Sequence, residues 1–171
     1  AVSSALAQSF DGTGVVIVND GCPDPSSHWL GTAFSASYPD RVAYIRQPNA
    51  GLPAARNRGV RYALGRWPQA EAFFFLDADN LLPPDSIEAM YAHLGSAPDV
   101  HWIYSTLDNF GAKSITWHGE TPANLFRMLF ENQADAGSLV HRRIFEAGIY
   151  FDETMRQGYE DWEFFVRLLR N

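Results

Sequence analysis

Two aspartates, Asp77 and Asp79, follow the most apolar run of the chain, Phe73-Phe74-Phe75-Leu76. In an open parallel sheet, ligands bind in the crevice beyond the carboxyl ends of the strands, so a buried strand here would deliver both carboxylates to that crevice. Carboxylate oxygens suit a hard divalent cation that also bridges to substrate phosphates. The alternative is a solvated loop or an Asx turn, because so short a motif also arises by chance.

A third carboxylate, Asp20, occupies the same kind of position after the apolar run Val15-Val16-Ile17-Val18. Asp and Gly are common turn residues, so Asp20-Gly21 can be a plain turn from strand to loop. The functional alternative is a carboxylate that accepts hydrogen bonds from a base or a ribose at the edge of the sheet. The sequence alone leaves both interpretations open.

The segment from Asn49 to Gly59 surrounds the start of a helix that Pro53 can open. Gly51 allows an unusual backbone turn, and a helix start with a nearby arginine, Arg56, suits an anion or a nucleotide. The alternative is a packed helix that carries a surface arginine.

Glu160 and Asp161 open the last helix of the chain. Acidic residues in a first turn stabilise a helix through its macrodipole, typically by about 0.3–1 kcal/mol each. A carboxylate at a helix start that faces the crevice can also act as a general base and take the proton of an attacking hydroxyl. Position in the sequence does not decide between the two.

Short apolar runs that alternate with helical patterns predict an α/β domain, with a mostly parallel sheet flanked by helices. The three clearest strand candidates are continuous apolar runs, as expected for strands covered on both faces. Strands are predicted at 15–18, 42–45 and 73–76, with weaker candidates at 100–104 and 115–117. Helices are predicted from Pro53 to Gly65, from Pro84 to Gly95, after Pro122 and from Glu160, the last with Trp162, Phe165, Val166 and Leu169 on its apolar face.

Length and composition restrict the classes of function. The 171 residues fit one domain spanning residues 1–171, and 46% of them are hydrophobic, enough for a sizeable core. With a net charge of −7 and no basic run, nucleic acid is a poor partner. The lone Cys22 excludes an internal disulfide, and no apolar run is long enough to span a bilayer. We expect a cytoplasmic protein, with membrane association left open for the full-length chain.

Four motifs follow one another in order along nearly the whole chain, from about residue 3 to residue 171. They are Val-Ile-Val-Asn-Asp-Gly-Cys-Pro-Asp (16–24), Asn-Ala-Gly-Leu-Pro-Ala-Ala-Arg-Asn-Arg-Gly (49–59), Leu-Asp-Ala-Asp-Asn (76–80) and Phe-Asp-Glu…Gly-Tyr-Glu-Asp-Trp-Glu-Phe (151–164). Together they resemble family 2 glycosyltransferases, which have the GT-A fold. The resemblance implies an enzyme that uses a nucleoside-diphosphate sugar donor and a glycan or lipid-linked glycan acceptor, as in polysaccharide biosynthesis.

The resemblance also implies roles for individual residues on the donor side. Asp20 would hold the base or ribose, and Arg56 would lie at the nucleotide pocket. Asp77 would support the ribose or the metal region, and Asp79 would ligate Mn²⁺ or Mg²⁺ at the diphosphate.

On the acceptor side, the resemblance makes Asp161 the catalytic base, with Glu160 contacting the acceptor or orienting the site. The acceptor oxygen would attack opposite the departing nucleoside diphosphate, which inverts the configuration of the sugar. Gly137 and Ser138 would line the acceptor side.

The sequence departs from the family pattern in three places. An opening strand, which would precede the helix ending near residue 10, is expected to be missing, and its loss should leave an unpaired strand edge. Cys22 stands where the family usually has Ser. A downstream acceptor segment beyond residue 171 is also expected to be missing, so we expect the chain to be part of a longer protein.

Two other functions fit the same residues. A sugar-phosphate nucleotidyltransferase also uses a nucleotide-binding α/β sheet, although its Gly-rich phosphate signature is not visible here. The second is an inactive domain that binds nucleotide, or only another protein, without turnover.

Overall fold

The computed structural model describes residues 1–96, 100–111, 115–117 and 122–170. Strands and helices alternate through the first half of the chain, and shorter elements follow. The elements in chain order are α1 (Val2–Leu6), β1 (Val15–Asp20), α2 (Pro25–Ser37), β2 (Val42–Gln47), α3 (Leu52–Arg66), β3 (Ala72–Phe74), α4 (Ser86–Ser96), β4 (Trp102–Tyr104), β5 (Leu107–Asn109), β6 (Ile115–Trp117), α5 (Leu125–Met128), β7 (Ser138–His141), α6 (Arg142–Glu146) and α7 (Glu160–Arg170).

The parallel part of the fold is the pair β1 and β2, joined by the crossover helix α2. Their register aligns Val15 with Val42 and Asp20 with Gln47, so both strands end at the same edge. Helix α3, which follows β2, packs against β1. This arrangement brings the loops after β1 and β2 together, as parallel strands with helical crossovers require.

A second sheet has the order β3-β7-β4, with β7 antiparallel to both of its neighbours. The strands predicted near 73–76, 100–104 and 115–117 are all present, the last as a partner of β5. The predicted α/β class is therefore confirmed. The antiparallel pairing was not predicted, because β7 is only four residues long and shows no extended apolar run in the sequence.

Strands β1 and β3 each have one unpaired edge within the described residues, since β1 pairs only with β2 and β3 only with β7. The apolar run of β1, Val15 to Val18, is half-buried throughout, whereas Val42 and Ala43 of β2 are buried. The prediction that all three apolar runs are covered on both faces is thus wrong for β1. Apolar sequence indicates that a strand can be buried, but its neighbours decide how far.

The main core lies between β3, β7 and the helices α3, α6 and α7. Phe164 and Phe165 of α7 are fully buried in it. The Phe164 ring stacks on Phe151 at a centroid distance of 4.2 Å, and the Phe165 ring stacks on Trp102 at 4.3 Å. These contacts fix the first turn of α7, which carries Glu160 and Asp161. In the described part of the chain, no helix is long and apolar enough to cross a membrane.

Candidate active site

Asp20, the last residue of β1, closes the turn that leads into α3. Its Oδ1 accepts hydrogen bonds from Gln47 Nε2 at 2.7 Å and from the Ala50 amide at 2.8 Å, and its Oδ2 accepts from the Gly51 amide at 2.9 Å. Gly51 is the N-terminal cap of α3 and has a φ of +90°, a conformation that glycine adopts at little cost. Asp20 therefore holds the start of the helix that carries Arg56.

Arg56 is buried at the centre of the site and links two of the predicted site residues. Its Nη1 donates to Glu160 Oε1 at 2.6 Å, and its Nη2 donates to Asp77 Oδ1 at 3.2 Å. The Arg56 side chain is 7% exposed and that of Glu160 is 9% exposed, so this pair is shielded from water. A single guanidinium thus joins α3, the loop after β3 and the first turn of α7.

Asp77 and Asp79 lie in the loop that follows β3. The strand ends at Phe74, so the loop begins earlier than the apolar run suggested, and the Asn80 amide closes a turn on the Asp77 carbonyl at 3.0 Å. The Asp77 side chain is 38% exposed, and the Asp79 side chain is exposed. Within the described residues, Asp77 Oδ2 has no protein partner and Asp79 makes no hydrogen bond or ion pair.

The two aspartates of this loop suit a metal ion that also binds the phosphates of a substrate. Over the described ranges, no group of three or more His, Cys, Asp or Glu side chains forms a complete metal-binding cluster. Mg²⁺ is commonly held by only one or two carboxylates together with substrate phosphates, and the exposed oxygens of Asp79 and Asp77 match that donor set.

Asp161 is half-buried in the first turn of α7, beside the buried Glu160. Burial is the main cause of a raised pKa at Asp161. The hydrogen bond from the Trp162 amide to Oδ1 and the charge of Arg56 oppose this rise, whereas the charges of Glu160 and Asp135 add to it. A carboxylate with a raised pKa is a stronger base, which suits proton abstraction from a hydroxyl.

Asn57 is fully buried next to Arg56 and was not identified from the sequence as a site residue. It exchanges hydrogen bonds with the backbone of Phe151, at 2.8 Å to the carbonyl and 3.0 Å from the amide. Its Nδ2 also donates to Glu153 Oε1 at 2.9 Å, and this bond is the main reason for the lowered pKa of Glu153. Asn57 therefore fixes the segment before α7 on α3. Its place between two arginines in Ala-Arg-Asn-Arg gave no signal of this role.

Two further charged residues near the site were also missed. Asp135 acts electrostatically on Asp161, and its Oδ1 accepts from the Gly137 amide at 2.7 Å. The Asp-Ala-Gly sequence is an Asx-turn signal that could have indicated it. Arg156 is exposed and lies over the turn at Gly51, where a Cβ would be 3.7 Å from Arg156 Nη1. Within the described part of the chain its guanidinium has no hydrogen bond or ion pair.

The profile of the family described as glycosyl transferase family 2 matches residues 1–163 of the chain. The chain belongs to this family. The match covers all six of the predicted site residues, which are Asp20, Arg56, Asp77, Asp79, Glu160 and Asp161.

Individual relatives of this family 2 glycosyltransferase match about half of the chain. The minor teichoic acid biosynthesis protein GgaB of Bacillus subtilis is 33% identical over 90 residues, which are 52% of this chain and 9% of that protein. The glycosyltransferase GlyA of Streptococcus pneumoniae is 34% identical over 90 residues, 53% of this chain and 12% of that protein. The uncharacterized glycosyltransferase YibD of Escherichia coli is 32% identical over 89 residues, 52% of this chain and 24% of that protein. The matched segments are thus a small part of the length of these relatives.

Proposed function

We propose that this chain transfers a sugar from a nucleoside-diphosphate sugar to an acceptor hydroxyl, with inversion at the anomeric carbon. The observation that carries the proposal is the connection through Arg56, which ties the donor-side Asp77 to Glu160, the neighbour of Asp161. Membership of the glycosyltransferase family supports this function over nucleotidyl transfer.

Asp161 is the base of the proposed reaction. Its raised pKa strengthens its carboxylate as a proton acceptor, and the acceptor hydroxyl gives its proton to this carboxylate. The acceptor oxygen forms a bond to the anomeric carbon from the face opposite the donor phosphate. The bond from that carbon to the phosphate oxygen breaks, and the nucleoside diphosphate leaves with the electron pair. One displacement of this kind inverts the sugar.

Glu160 and Arg56 act as positioning residues in this proposal. Both terminal nitrogens of Arg56 donate to carboxylates, and Glu160 is itself buried. Arg56 therefore contributes to the nucleotide pocket by fixing Asp77, rather than by direct contact. The exposed guanidinium of Arg156, over the same turn that Asp20 closes, is available to the diphosphate.

Asp79 and Asp77 would hold Mn²⁺ or Mg²⁺ through their exposed oxygens. When bound, such an ion supplies Lewis-acid neutralisation of the negative charge on the diphosphate leaving group. Asp20 would contact the base or ribose at the carboxyl end of β1.

The first experiment is a thermal-shift series with UDP, GDP, CDP and dTDP, each with Mn²⁺ and with a chelator. We expect one nucleotide to raise the melting temperature only when the metal is present. Asp79→Asn should abolish this shift, and Asp11→Asn, which alters an exposed aspartate away from the site, should retain it. A metal-independent shift in both variants would contradict the metal site.

The second experiment measures products from the matching nucleotide sugar. Release of the nucleoside diphosphate with an anomerically inverted product supports the proposal. Release of pyrophosphate from a nucleoside triphosphate would instead indicate a nucleotidyltransferase, and nucleotide binding without turnover would indicate a binding domain.

A further inference from the structure

Asn19 lies in β1, next to Asp20, and its side chain is at the centre of a hydrogen-bond network. The residue is 6% exposed. Its Nδ2 donates to Ser27 Oγ and to the Tyr44 hydroxyl, both at 3.0 Å, and its Oδ1 accepts from the Cys22 amide at 2.9 Å. Both hydrogens of the side-chain amide are therefore used, and its oxygen has one partner. The proposed reaction gives this residue no role.

The two groups that accept from Asn19 belong to different elements and are themselves held in place. Ser27 lies in the first turn of α2, and its Oγ donates to the Asp24 carbonyl at 2.8 Å. Tyr44 lies in β2, and its hydroxyl oxygen is also 3.0 Å from Nδ1 of His28. The side chain of Asn19 therefore connects β1 with both α2 and β2.

The backbone group that Asn19 binds belongs to the turn formed by Gly21 and Cys22. Gly21 has a φ of +72°, and a Cβ there would be 2.7 Å from the Asn49 backbone nitrogen, so the turn packs directly on the segment before α3. The Asn49 side chain also donates to the Asp20 carbonyl at 3.2 Å. The same segment supplies the amides that bind the Asp20 carboxylate. The turns after β1 and β2 are thus one packed unit at the carboxyl ends of two parallel strands, where ligands bind in such sheets.

We propose that Asn19 is a positioning residue for the nucleotide, because it fixes the turn of Gly21 and Cys22 beside Asp20. This inference rests on the proposed function, which puts the base or ribose at Asp20. Asn19 acts through the turn and does not contact the nucleotide itself, since its side chain is buried and its two donors have protein partners.

A turn that is already held in one conformation strengthens binding, because the ligand does not have to order it. The turn lies on the nucleotide side of the site and takes no part in the displacement at the sugar. Loss of the network should therefore weaken binding of the donor in the ground state and in the transition state by the same factor. Such a change raises KM and leaves kcat unchanged.

The test compares Tyr44→Phe with Tyr38→Phe. Tyr44→Phe removes one hydroxyl that accepts from Asn19, whereas Tyr38 is 45% exposed and its hydroxyl has no hydrogen bond within the described residues. Calorimetric titration uses whichever of UDP, GDP, CDP and dTDP the thermal-shift series selects, with Mn²⁺. Kd should rise about fivefold in Tyr44→Phe, the effect of one lost hydrogen bond, and stay unchanged in Tyr38→Phe.

The turnover assay with the matching nucleotide sugar separates positioning from a purely structural role. In Tyr44→Phe the KM for the nucleotide sugar should rise by the same factor of about five, with kcat unchanged. A variant that is less stable but has the wild-type Kd and KM would show that the network only supports the fold, and the inference would be wrong.

Hydrogen exchange of the Cys22 amide, followed by NMR, tests whether the turn is the part that changes. This amide should exchange about fivefold faster in Tyr44→Phe than in the wild type or Tyr38→Phe, because its acceptor on Asn19 is held less firmly. Weaker nucleotide binding with an unchanged exchange rate would contradict the proposed route through the turn.

The same measurements distinguish this inference from the proposed function. If Tyr44→Phe weakens nucleotide binding and the wild type transfers no sugar, the proposed function fails and Asn19 still positions a nucleotide. If the wild type transfers sugar and Tyr44→Phe has the same donor KM, the proposed function stands and the inference about Asn19 is wrong. Absence of nucleotide binding in the wild type would contradict both.

Discussion

Arg56 and Glu160, separated by 104 positions in the sequence, form an ion pair of 2.6 Å that is almost fully buried. The pair connects the helix after β2 with the helix that carries the proposed base. The same guanidinium also reaches Asp77, at 3.2 Å. The position of Asp161 therefore depends on Arg56, a residue that the family resemblance predicts at the nucleotide pocket.

Arg56→Ala should lower the free energy of unfolding by about 3–5 kcal/mol, because it leaves the buried Glu160 carboxylate without its partner. Arg61→Ala is the control on the same helix. Arg61 pairs with Glu153 through side chains that are 55% and 44% exposed, so its loss should cost at most about 1 kcal/mol. Urea denaturation measures both values.

A double variant separates the charge from the packing at this pair. In Arg56→Met/Glu160→Leu both charges are removed, and we expect recovery of much of the stability lost in Arg56→Ala. Turnover should nevertheless remain low, because Asp77 has lost its partner. Similar stabilities for Arg56→Ala and Arg61→Ala would contradict the buried pair.

Asp161→Asn should reduce turnover at least about 10²-fold, as expected for loss of a general base. It should also raise the melting temperature at pH 7. A carboxyl group whose pKa is raised in the folded state stabilises the protein fully at pH values below its ordinary pKa of 3.8. This stabilisation is lost as the pH rises through the pKa of the folded state. At neutral pH the ionised Asp161 carboxylate therefore lowers the free energy of unfolding, and the uncharged amide of asparagine removes this loss.

The pH dependence of turnover and of stability tests whether the pKa of Asp161 is raised. Wild-type turnover should fall as the pH drops through the raised pKa, and the stability gain of Asp161→Asn should vanish near pH 4. Asp152 is a control in which the pKa is shifted in the opposite direction, because hydrogen bonds from Thr154 lower it. Asp152→Asn should therefore reduce stability at pH 7. Unchanged turnover in Asp161→Asn would exclude this residue as the base.

Asp20→Asn should destabilise the protein by about 1–3 kcal/mol, because an amide cannot accept all the hydrogen bonds that Asp20 receives from the turn before α3. The same variant should weaken nucleotide binding in the thermal-shift assay. Asp24→Asn provides the comparison, since Asp24 is the N-terminal cap of α2 and asparagine caps helices equally well. Equal stability of the two variants would show that Asp20 does not hold the turn.

His141 should make stability sensitive to mild acid. Burial, together with the charge of Arg143, lowers the pKa of His141, whose Nδ1 accepts a hydrogen bond from the Arg143 amide at 3.1 Å as the cap of α6. A histidine whose pKa is lowered in the folded state stabilises the protein fully at pH values above its ordinary pKa of 6.5. This stabilisation is lost as the pH falls through the pKa of the folded state. His141→Asn keeps a capping oxygen and should lose less stability than the wild type between pH 7 and pH 5. An identical loss in both proteins, measured by urea denaturation, would contradict this role.

The sequence predicted the elements of the fold best where apolar runs were long. The strands near residues 15, 42 and 73 and the helices α3, α4 and α7 all lie where hydrophobic patterning placed them. The helix predicted after residue 122 is present as the four-residue α5. Strand β7 was missed, although it is the middle strand of its sheet, because four residues carry too little periodicity to be distinguished from a loop.

The orientation of α7 shows the limit of periodicity within a correctly predicted helix. Trp162 and Val166 were predicted on the buried face with Phe165, but Phe164, Phe165 and Leu168 form the buried face. Trp162 and Val166 are only partly buried against the main core, and they also line an open hollow together with Met128 and Leu129. A helix with apolar residues on more than one face can be rotated by its neighbours, and the aromatic stacking of Phe164 on Phe151 fixes the rotation here.

The sequence by itself determined the family and the α/β class, and it predicted which carboxylates form the site, because these inferences depend on residue types in a fixed order. Only the tertiary structure decided what each residue contacts. It assigned Asp20 to the turn before α3, Arg56 to two carboxylates, Asn57 to the backbone of Phe151, and a raised pKa to Asp161. The physical reason is that hydrogen bonding, burial and charge act over a few ångströms in space, between residues that the sequence separates by up to a hundred positions or more.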